Sequence, residues 1–538
     1  MKQRSRDYRH ATPQQVSLMD SPKKPRICVS VCEPTIAELE RAIAAVPEVC
    51  NLIEVRLDCL EPRELETNAN RITKLLEKSA CESILTFRPA EQGGQRQLSD
   101  ETRYAFWSGA IFSESFFDVE LDLAERLNST EASQPLPIDW SRTICSHHDF
   151  TGVPAKLDQI YDRLTRTPAR VLKIAVQAND ATDCLPVFHL LERARTEGRE
   201  MIAIAMGTAG LATRILGPSR GAYLTYASPE NKTPTAPGQI SLRELNEVYR
   251  MGKIDHQTQI FGLIGSPVSH SVSPLMHNAA FAATETNAVY MPFEVRDVKT
   301  FLKRMIHPRT RELDWNIGGL SVTAPHKFEV LTQLDWVDPA AAAIGAVNTI
   351  VIAGDALHGY NTDAEAFIAI LKYSFGELGY ARCAVIGSGG AASAALWALN
   401  QAKAAPTLFA RDVAKAEALA KRFDVPCLKL ADAQFKDFDV VINATPLGTA
   451  GQFEDESPAT AEQLRGARLA YDLVYNPAET RFLQEAEAAG CDMLDGFPML
   501  VKQAADQFTL WIDKPSPEEV MYYAAESVLG LRCNTWNR

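Results

Sequence analysis

The sequence predicts an α/β chain in two parts: an N-terminal (β/α)8 barrel of the TIM type, then a two-domain α/β unit ending in a Rossmann dinucleotide-binding domain. Three observations predict it. Eight short apolar runs, at residues 27–32, 52–57, 83–87, 116–120, 143–146, 171–176, 201–206 and 222–226, alternate with helical patterns. A strand, a glycine turn and an Ala-rich helix follow one another at 383–399. Between these regions, at 251–258, the rhythm breaks in a polar stretch without pattern.

The chain of 538 residues is too long for one core. Residues 1–25 are polar, mildly basic and interrupted by Asp7 and Asp20. They lack the apolar centre of a secretory signal and read as a disordered tail, with a plastid transit peptide as the alternative. The eight runs recur at the βα spacing, so the barrel is assigned to 26–250. The polar stretch at 251–258 is a linker. Further runs at 260–264, 289–293, 319–323 and 347–352 begin the second α/β part.

Composition sets limits. Apolar residues make up 46%, and the formal charge of −13 argues against a nucleic-acid surface. No run of 18 apolar residues is present, so no membrane span is expected. Eleven cysteines are scattered without a CxxC or a Cys/His cluster. They are read as small core residues of a reducing, cytoplasmic compartment, neither bridges nor metal ligands, with Cys28 and Cys32 in the first strand and Cys145 in the fifth.

Within the barrel, Lys173 lies in the apolar run Ala169-Arg-Val-Leu-Lys-Ile-Ala-Val176. Such a run reads as a strand buried on both faces, where a charged lysine is costly. Burial favours a neutral, nucleophilic amine. A lysine at the strand edge that snorkels to water is the alternative. Catalytic groups of this fold lie at the C-terminal ends of strands. Glu54, Arg56 and Asp58 alternate along strand two, Arg88 ends strand three, His147 and His148 end strand five, and Arg214 follows strand seven.

The turn Gly387-Ser-Gly-Gly-Ala-Ala departs from a strict GxGxxG, yet it stands between a strand and a helix, as a pyrophosphate cradle requires. A tight connection without a ligand is the alternative. At the end of the next strand Arg411 replaces the acidic residue that selects NAD, and Lys415 follows one turn later. Positive charge there suits the 2′-phosphate of NADP. A solvated basic helix start is the alternative, and Asp412 lies between the two.

These residues carry a resemblance. Glu54-Val-Arg-Leu-Asp58, Thr86-Phe-Arg-Pro89, Ser146-His-His-Asp-Phe150, Val171-Leu-Lys-Ile-Ala175 and Ala236-Pro-Gly-Gln239 are similar to type I 3-dehydroquinate dehydratases. Gly265-Ser-Pro-Val-Ser-His-Ser-Val-Ser-Pro274, Ser321-Val-Thr-Ala-Pro-His-Lys327, Gly345-Ala-Val-Asn-Thr349, Tyr360-Asn-Thr-Asp363, Asn443-Ala-Thr-Pro-Leu-Gly448 and Tyr471-Asp-Leu-Val-Tyr-Asn-Pro477 resemble shikimate dehydrogenases. The order resembles the fused, bifunctional family best known from plants. The resemblance implies a substrate-binding domain over 259–365, an NADP-binding Rossmann domain over 366–495 and C-terminal helices over 496–530 that return to the substrate domain.

For the barrel, the resemblance implies dehydration of 3-dehydroquinate to 3-dehydroshikimate through an imine on Lys173. His148 is the implied general acid/base, and its neighbour His147 is structural. Glu54 orients His148 or balances charge, Arg56, Arg88 and Arg214 hold the substrate, and Thr235 and Gln239 belong to a mobile lid. The family usually has Glu-Gly-Gly where this chain has Gln92-Gly-Gly94, which implies a shifted or weakened first activity.

For the second part, the resemblance implies reduction of 3-dehydroshikimate to shikimate with NADPH. Lys327 and Asp363 are the implied catalytic pair. Ser269 and Ser271 bind the carboxylate with Tyr475 nearby, while Thr323, Asn348, Gln503 and Ser321 meet the ring. Gly387, Ser388, Gly389, Gly390 and Ala391 take the pyrophosphate, Arg411 and Lys415 the 2′-phosphate, and Asn443, Thr445 and Gly448 the nicotinamide side. An NAD-linked quinate dehydrogenase of catabolism and a non-catalytic metabolite sensor are the competing readings. A sensor should have lost Lys173, His148, Lys327 and Asp363, and all four are present. Partners are small molecules, without metal, nucleic acid or membrane.

Overall fold

The computed structural model describes residues 24–47, 50–79, 81–109, 114–129, 138–230, 232, 234–451 and 453–529. Of the expected tail, residues 1–23 lie outside the described residues. The first sheet contains β1 (Ile27–Val31), β2 (Leu52–Arg56), β3 (Glu82–Thr86), β4 (Phe116–Glu120), β5 (Thr143–Asp149), β6 (Val171–Gln177), β7 (Glu200–Met206) and β8 (Thr225–Ala227). Its order is β7-β6-β5-β4-β3-β2-β1-β8, and every pair is parallel. A bridge between Met201 and Ala222 joins the two ends, and Tyr223 N–H donates to Met201 O at 2.7 Å. The result is a nearly closed (β/α)8 barrel.

Strand alternation sorts the barrel interior into layers. At the N-terminal end, Cys28, Leu52, Ile84, Phe116, Ile144, Ile202 and Leu224 form one apolar cluster. One step towards the C-terminal ends, Ser30, Glu54, Thr86, Asp118, Ser146 and Lys173 are all buried and polar. The apolar layer is a floor, and the charged layer rests on it.

A second sheet contains β9 (Gln259–Gly265), β10 (Ala288–Glu294), β11 (Ile317–Val322), β12 (Trp336–Val337), β13 (Thr349–Ala353) and β14 (Ala356–Tyr360), in the order β10-β9-β11-β13-β14-β12. The pairs of β13 with β11 and β14 are antiparallel. The sequence pattern showed neither β12, which spans two residues, nor β14, which completes a tight hairpin with β13 around Gly354 (φ 63°). Helices Phe497–Ile512 and Glu518–Leu529 pack Phe497, Phe508, Trp511 and Met521 against Phe261 and Phe281 of this unit.

The third sheet contains β15 (Arg382–Ile386), β16 (Ala405–Ala410), β17 (Cys427–Lys429), β18 (Val440–Asn443), β19 (Leu469–Asp472) and β20 (Asp492–Leu494). Its all-parallel order, β17-β16-β15-β18-β19-β20, is that of a doubly wound nucleotide-binding sheet. The strand order reverses between β15 and β18, where ligands of such sheets bind.

One expectation gains detail and another needs correction. The stretch 251–258 is not featureless: Met251–Lys253 forms a 3-10 turn, and Met251 is buried in the core that the barrel shares with the second sheet. Phe188 and Trp315 meet across that junction with ring centroids 5.6 Å apart. The cysteines are not all unpaired either: Cys32 and Cys59 form a disulfide, with Cα atoms 5.4 Å apart. Parallel pairing of β1 with β2 puts the two strand ends side by side, a proximity that a separation of 27 residues hides in the sequence. Eight other described cysteines are free. Among the described residues, no helix is long and apolar enough to cross a membrane.

Candidate active sites

The barrel brings all eight of its expected site residues to one cavity. Glu54, Arg56, Arg88, His148, Lys173, Arg214, Thr235 and Gln239 line it, with Gln92 and Tyr226. Lys173 Nζ donates to Asp118 Oδ2 at 2.7 Å and to the Tyr226 hydroxyl at 2.9 Å, and it stands 3.8 Å from Glu54 Oε1. Only 5% of the Lys173 side chain is exposed, so it does not snorkel. Glu54 accepts from Ser30 Oγ at 2.5 Å and from Thr86 Oγ1 at 2.8 Å. Glu54 therefore faces the lysine rather than orienting His148.

His148 lies two residues beyond Ser146, the register partner of Lys173, on the same inward face of β5. His147 takes the opposite face, as alternation requires. Arg88 Nη1 is 2.7 Å from His148 Nε2. A guanidinium can only donate, so Nε2 accepts and Nδ1 carries the proton. Burial, then the charges of Arg88 and Lys173, hold the imidazole well below its usual pKa. Arg88 also lies 2.6 Å from Asp118 Oδ1. Burial alone would raise the Asp118 carboxyl, but Arg88 and Lys173 outweigh it and hold it low.

The three arginines differ. Arg56 is bidentate to Asp58, at 2.9 and 2.8 Å, and Arg88 faces Asp118 and His148. Arg214 is buried and donates to Pro237 O at 3.0 Å, with no carboxylate partner among the described residues. Burial lowers its pKa to about 10. An unpaired, buried cation lining a cavity is an anion site in waiting. The segment 235–239 is tied to itself: Thr235 N–H and Oγ1 donate to Gln239 Oε1, at 3.0 and 3.1 Å. Gly238 (φ 69°) lies against Gly207 (φ 84°) so closely that a Cβ would come within 2.2 Å of Gly207 O.

The second site lies where the second and third sheets meet. Lys327 follows β11 and donates to Asp363 Oδ2 at 2.5 Å, in the first turn of helix Asp363–Phe375. Asn348 Nδ2 donates to Asp363 Oδ1 at 2.8 Å and to Thr362 Oγ1 at 2.9 Å, and Asn348 Oδ1 accepts from Thr362 N–H and Thr349 Oγ1. All four of its bonding positions are filled, one by the aspartate and three by Thr349 and Thr362. Thr362 also donates to the carbonyl of Gln503, whose own amide donates to Leu500 O. Thr323 is half-buried, and its N–H donates to Ile264 O at 2.9 Å. Ser321 donates to Gln507 Oε1 at 2.7 Å and accepts from Tyr290 OH at 2.8 Å. Ser269 is exposed, Ser271 is half-buried with its hydroxyl on Ser273, and Tyr475 is half-buried. Ser269 and Ser271 line a cavity of about 430 Å³ between the barrel mouth and this unit, and Gln239 lines both that cavity and the barrel site.

The glycine turn follows β15 and opens helix Gly390–Gln401. Gly387 has φ +124°, and a Cβ there would approach Ala444 O to 2.7 Å. A Cβ on Gly389 would meet no atom within 4 Å, so backbone is bare at the helix start. Ser388 is exposed and Ala391 half-buried. A Cβ on Gly390 would lie 2.9 Å from Lys327 Cδ, so the turn abuts the catalytic-candidate lysine. Arg411 and Lys415 are exposed and unpaired among the described residues, while Asp412 caps the helix at Lys415 N–H. Asn443 Nδ2 donates to Leu447 O and Asp472 Oδ1, and its Oδ1 accepts from Thr445 N–H and Oγ1. Asn443 thus shapes the loop that carries Thr445 and Gly448.

Residues 27–256 match the type I 3-dehydroquinase family, and residues 263–350 match the shikimate dehydrogenase substrate binding domain. The bifunctional 3-dehydroquinate dehydratase/shikimate dehydrogenase of Arabidopsis thaliana is 31% identical over 95% of this chain and 86% of its own length. The chain belongs to this bifunctional family. The shikimate biosynthesis protein AroDE of Chlamydia pneumoniae is 29% identical over 91% of this chain and 96% of its own. An NADP(+) shikimate dehydrogenase of Oleidesulfovibrio alaskensis is 41% identical over 48% of this chain and 91% of its own length.

Sequence reasoning missed three residues of the dehydratase site. Asp118 and Glu120 alternate inward along Phe116-Phe-Asp-Val-Glu120, the same signal that exposed Glu54, Arg56 and Asp58. Burial, with Asp118 adding to it, raises the Glu120 carboxyl to about 7. Tyr226 gave no signal, because a tyrosine in a short strand reads as core. Gln92 bonds to the backbone of His148, not its ring: its Oε1 accepts the His148 N–H at 3.3 Å.

Proposed function

We propose that the barrel dehydrates 3-dehydroquinate through an imine on Lys173 and that the second part reduces the product, 3-dehydroshikimate, to shikimate with NADPH. The observation that carries the first step is the position of Lys173: buried in a cavity, between carboxylates, one strand from a neutral histidine. The unprotonated amine attacks the ketone, and the iminium that results acidifies the adjacent C–H. His148 Nε2, released as Arg88 turns to the substrate, removes that proton and returns it to the departing hydroxyl as water. Its depressed pKa keeps it in the basic form. Arg214, without a carboxylate of its own, takes the substrate carboxylate as a two-pronged pair. Arg56, Arg88 and Glu54 meet the hydroxyls, and the Thr235–Gln239 lid closes the site.

Bound NADPH supplies a hydride. The bare turn at Gly387, Ser388, Gly389, Gly390 and Ala391 has room for a pyrophosphate at a helix start, and the unpaired Arg411 and Lys415 suit a 2′-phosphate. Thr445 and Gly448 lie at the switch point, held there by Asn443. As the carbonyl oxygen gains charge, Lys327 delivers a proton to it, and Asp363 fixes the ammonium. Ser269 and Ser271 hold the carboxylate near Tyr475, with Thr323, Asn348 and Gln503 around the ring. Contact between Gly390 and Lys327 brings cofactor and proton donor to one seam.

The test supplies 3-dehydroquinate and NADPH together and follows NADPH oxidation. Oxidation that needs both compounds is expected. Borohydride added with 3-dehydroquinate alone should fix the carbon skeleton on Lys173, read by peptide mass. A folded enzyme that reduces 3-dehydroshikimate but gives no adduct at Lys173 would overturn the imine assignment.

A further inference from the structure

We propose that Tyr226 is a positioning residue for imine formation, its hydroxyl holding the Lys173 amine at the reacting edge of the barrel cavity. The proposal rests on Lys173 being the imine-forming lysine. Tyr226 sits on β8, the short strand that closes the barrel, and is 4% exposed. Its hydroxyl lies 2.9 Å from Lys173 Nζ, and Nζ lies 4.5 Å from the ring centroid. The other close partner, Asp118 Oδ2, is 2.7 Å away on β4. Lys173 is on β6, so the two contacts reach Nζ from two strands away on either side of the barrel. A lysine amine ends a chain of four rotatable bonds. Two fixed partners on opposite sides stop it turning, and the remaining direction faces the cavity that Arg214 and His148 line.

The two partners are not equivalent during the reaction. Attack by the neutral amine forms the N–C bond and converts the carbonyl oxygen to a hydroxyl. One proton is taken up, water leaves, and the iminium nitrogen keeps a single N–H. Asp118 can only accept. The Tyr226 hydroxyl accepts from an ammonium or an iminium N–H and donates to the lone pair of a free amine, so it stays bonded at every stage. Burial, reinforced by Glu54 and Cys28, pushes the phenol well above its ordinary pKa, so it retains the proton it must donate.

Tyr226→Phe removes the hydroxyl and keeps the ring. Dehydratase kcat and the rate of borohydride trapping at Lys173 should both fall about tenfold or more, with KM within about threefold. The pH profile of trapping should also move, whereas the dehydrogenase rate and melting temperature stay at wild-type values. Wild-type trapping with an unmoved profile would overturn the proposal, since the ring would then serve only as packing. No adduct at Lys173 in the wild-type enzyme would instead refute the imine reading itself. Should Tyr226→Phe not fold, 3-fluorotyrosine at position 226 preserves the shape and makes the phenol more acidic. A shifted trapping profile then supports the proposal, and an unshifted one overturns it.

Discussion

The two halves hold a lysine in opposite ways. In the barrel, Lys173 is 5% exposed and is met by Glu54, Asp118 and Tyr226 from three strands of one sheet. In the dehydrogenase half, Lys327 is 19% exposed and lies on a loop between two sheets, paired with a single aspartate. Different chemistry explains the contrast. An imine forms and breaks within one cavity, where water would hydrolyse it and dilute every charge, so the groups are built into a rigid interior. A hydride donor must enter and leave each turnover, and its candidate site lies at the seam between two sheets. The barrel concentrates charge, with Glu54, Arg88, Asp118, Glu120 and Lys173 buried together; the seam relies on saturated amides, Asn348 and Asn443, to hold its loops.

Lys173→Ala tests that contrast most strongly. Dehydratase kcat should fall by at least about 10⁴-fold, because nucleophile and iminium are lost together. Reduction of 3-dehydroshikimate should continue at the wild-type rate. Lys327→Ala should do the reverse, lowering the reductase rate by about 10²- to 10⁴-fold and sparing dehydration. Separate assays of the two half-reactions check both, and equal loss of both activities in either variant would refute independent sites.

At the seam, Arg411→Ala should weaken NADPH binding by about 10- to 100-fold, the worth of a charge-assisted hydrogen bond to phosphate. Use of NADH should be unchanged. Equal loss with both cofactors would remove Arg411 from the 2′-phosphate.

The same contrast governs what could be read in advance. The eight-strand rhythm was legible because each barrel strand is an apolar run with a helix behind it. Lys173, His148, Glu54 and Arg88 were legible because charge at inward positions of such runs has no packing explanation. Asp118 and Glu120 obeyed that rule and were passed over, although their spacing matches Glu54 and Arg56. Tyr226 and the Cys32–Cys59 bridge were illegible for a different reason. Their meaning depends on which strand ends the barrel places side by side, and aromatic or cysteine identity does not encode that. In the seam, Asn348 and Asn443 were legible as positions, but their filled hydrogen-bond sets emerge only from the folded loops.

Buried neutral histidines occur in both halves, which allows an acid comparison. Burial lowers His277 to about 3, against about 6.5 in an unfolded chain. Below pH 6.5 the unfolded chain binds a proton that the folded chain refuses, so stability falls as pH falls from 6.5 towards 3. At pH 5 this costs about 2 kcal/mol from His277 alone. A His277→Gln variant, compared with wild type by urea titration at pH 7 and pH 5, should lose correspondingly less on acidification. Parallel losses in both proteins would show that His277 does not govern the acid response.

The smallest expected effect is the most specific to this chain. Gln92 accepts the backbone N–H of His148 and lines the dehydratase cavity, where the resemblance leads one to expect a glutamate. Burial and the charges of Arg88 and Lys173 already hold His148 well below its normal pKa. Gln92→Glu places a carboxylate at the backbone of His148, and its negative charge favours the protonated form of the imidazole. The base must be neutral to take the C–H proton, so the acid limb of kcat/KM should move to higher pH, by up to about one unit. Near pH 7 the two enzymes should differ by less than about tenfold. Profiles measured from pH 5 to 8 decide it: a limb displaced upward makes Gln92 a determinant of the working range, whereas superimposable profiles mean that Arg88 and Lys173 alone set the histidine. The seam contains no equivalent of this lever, because Asp363 is tied to Lys327 and Asn348 on either side.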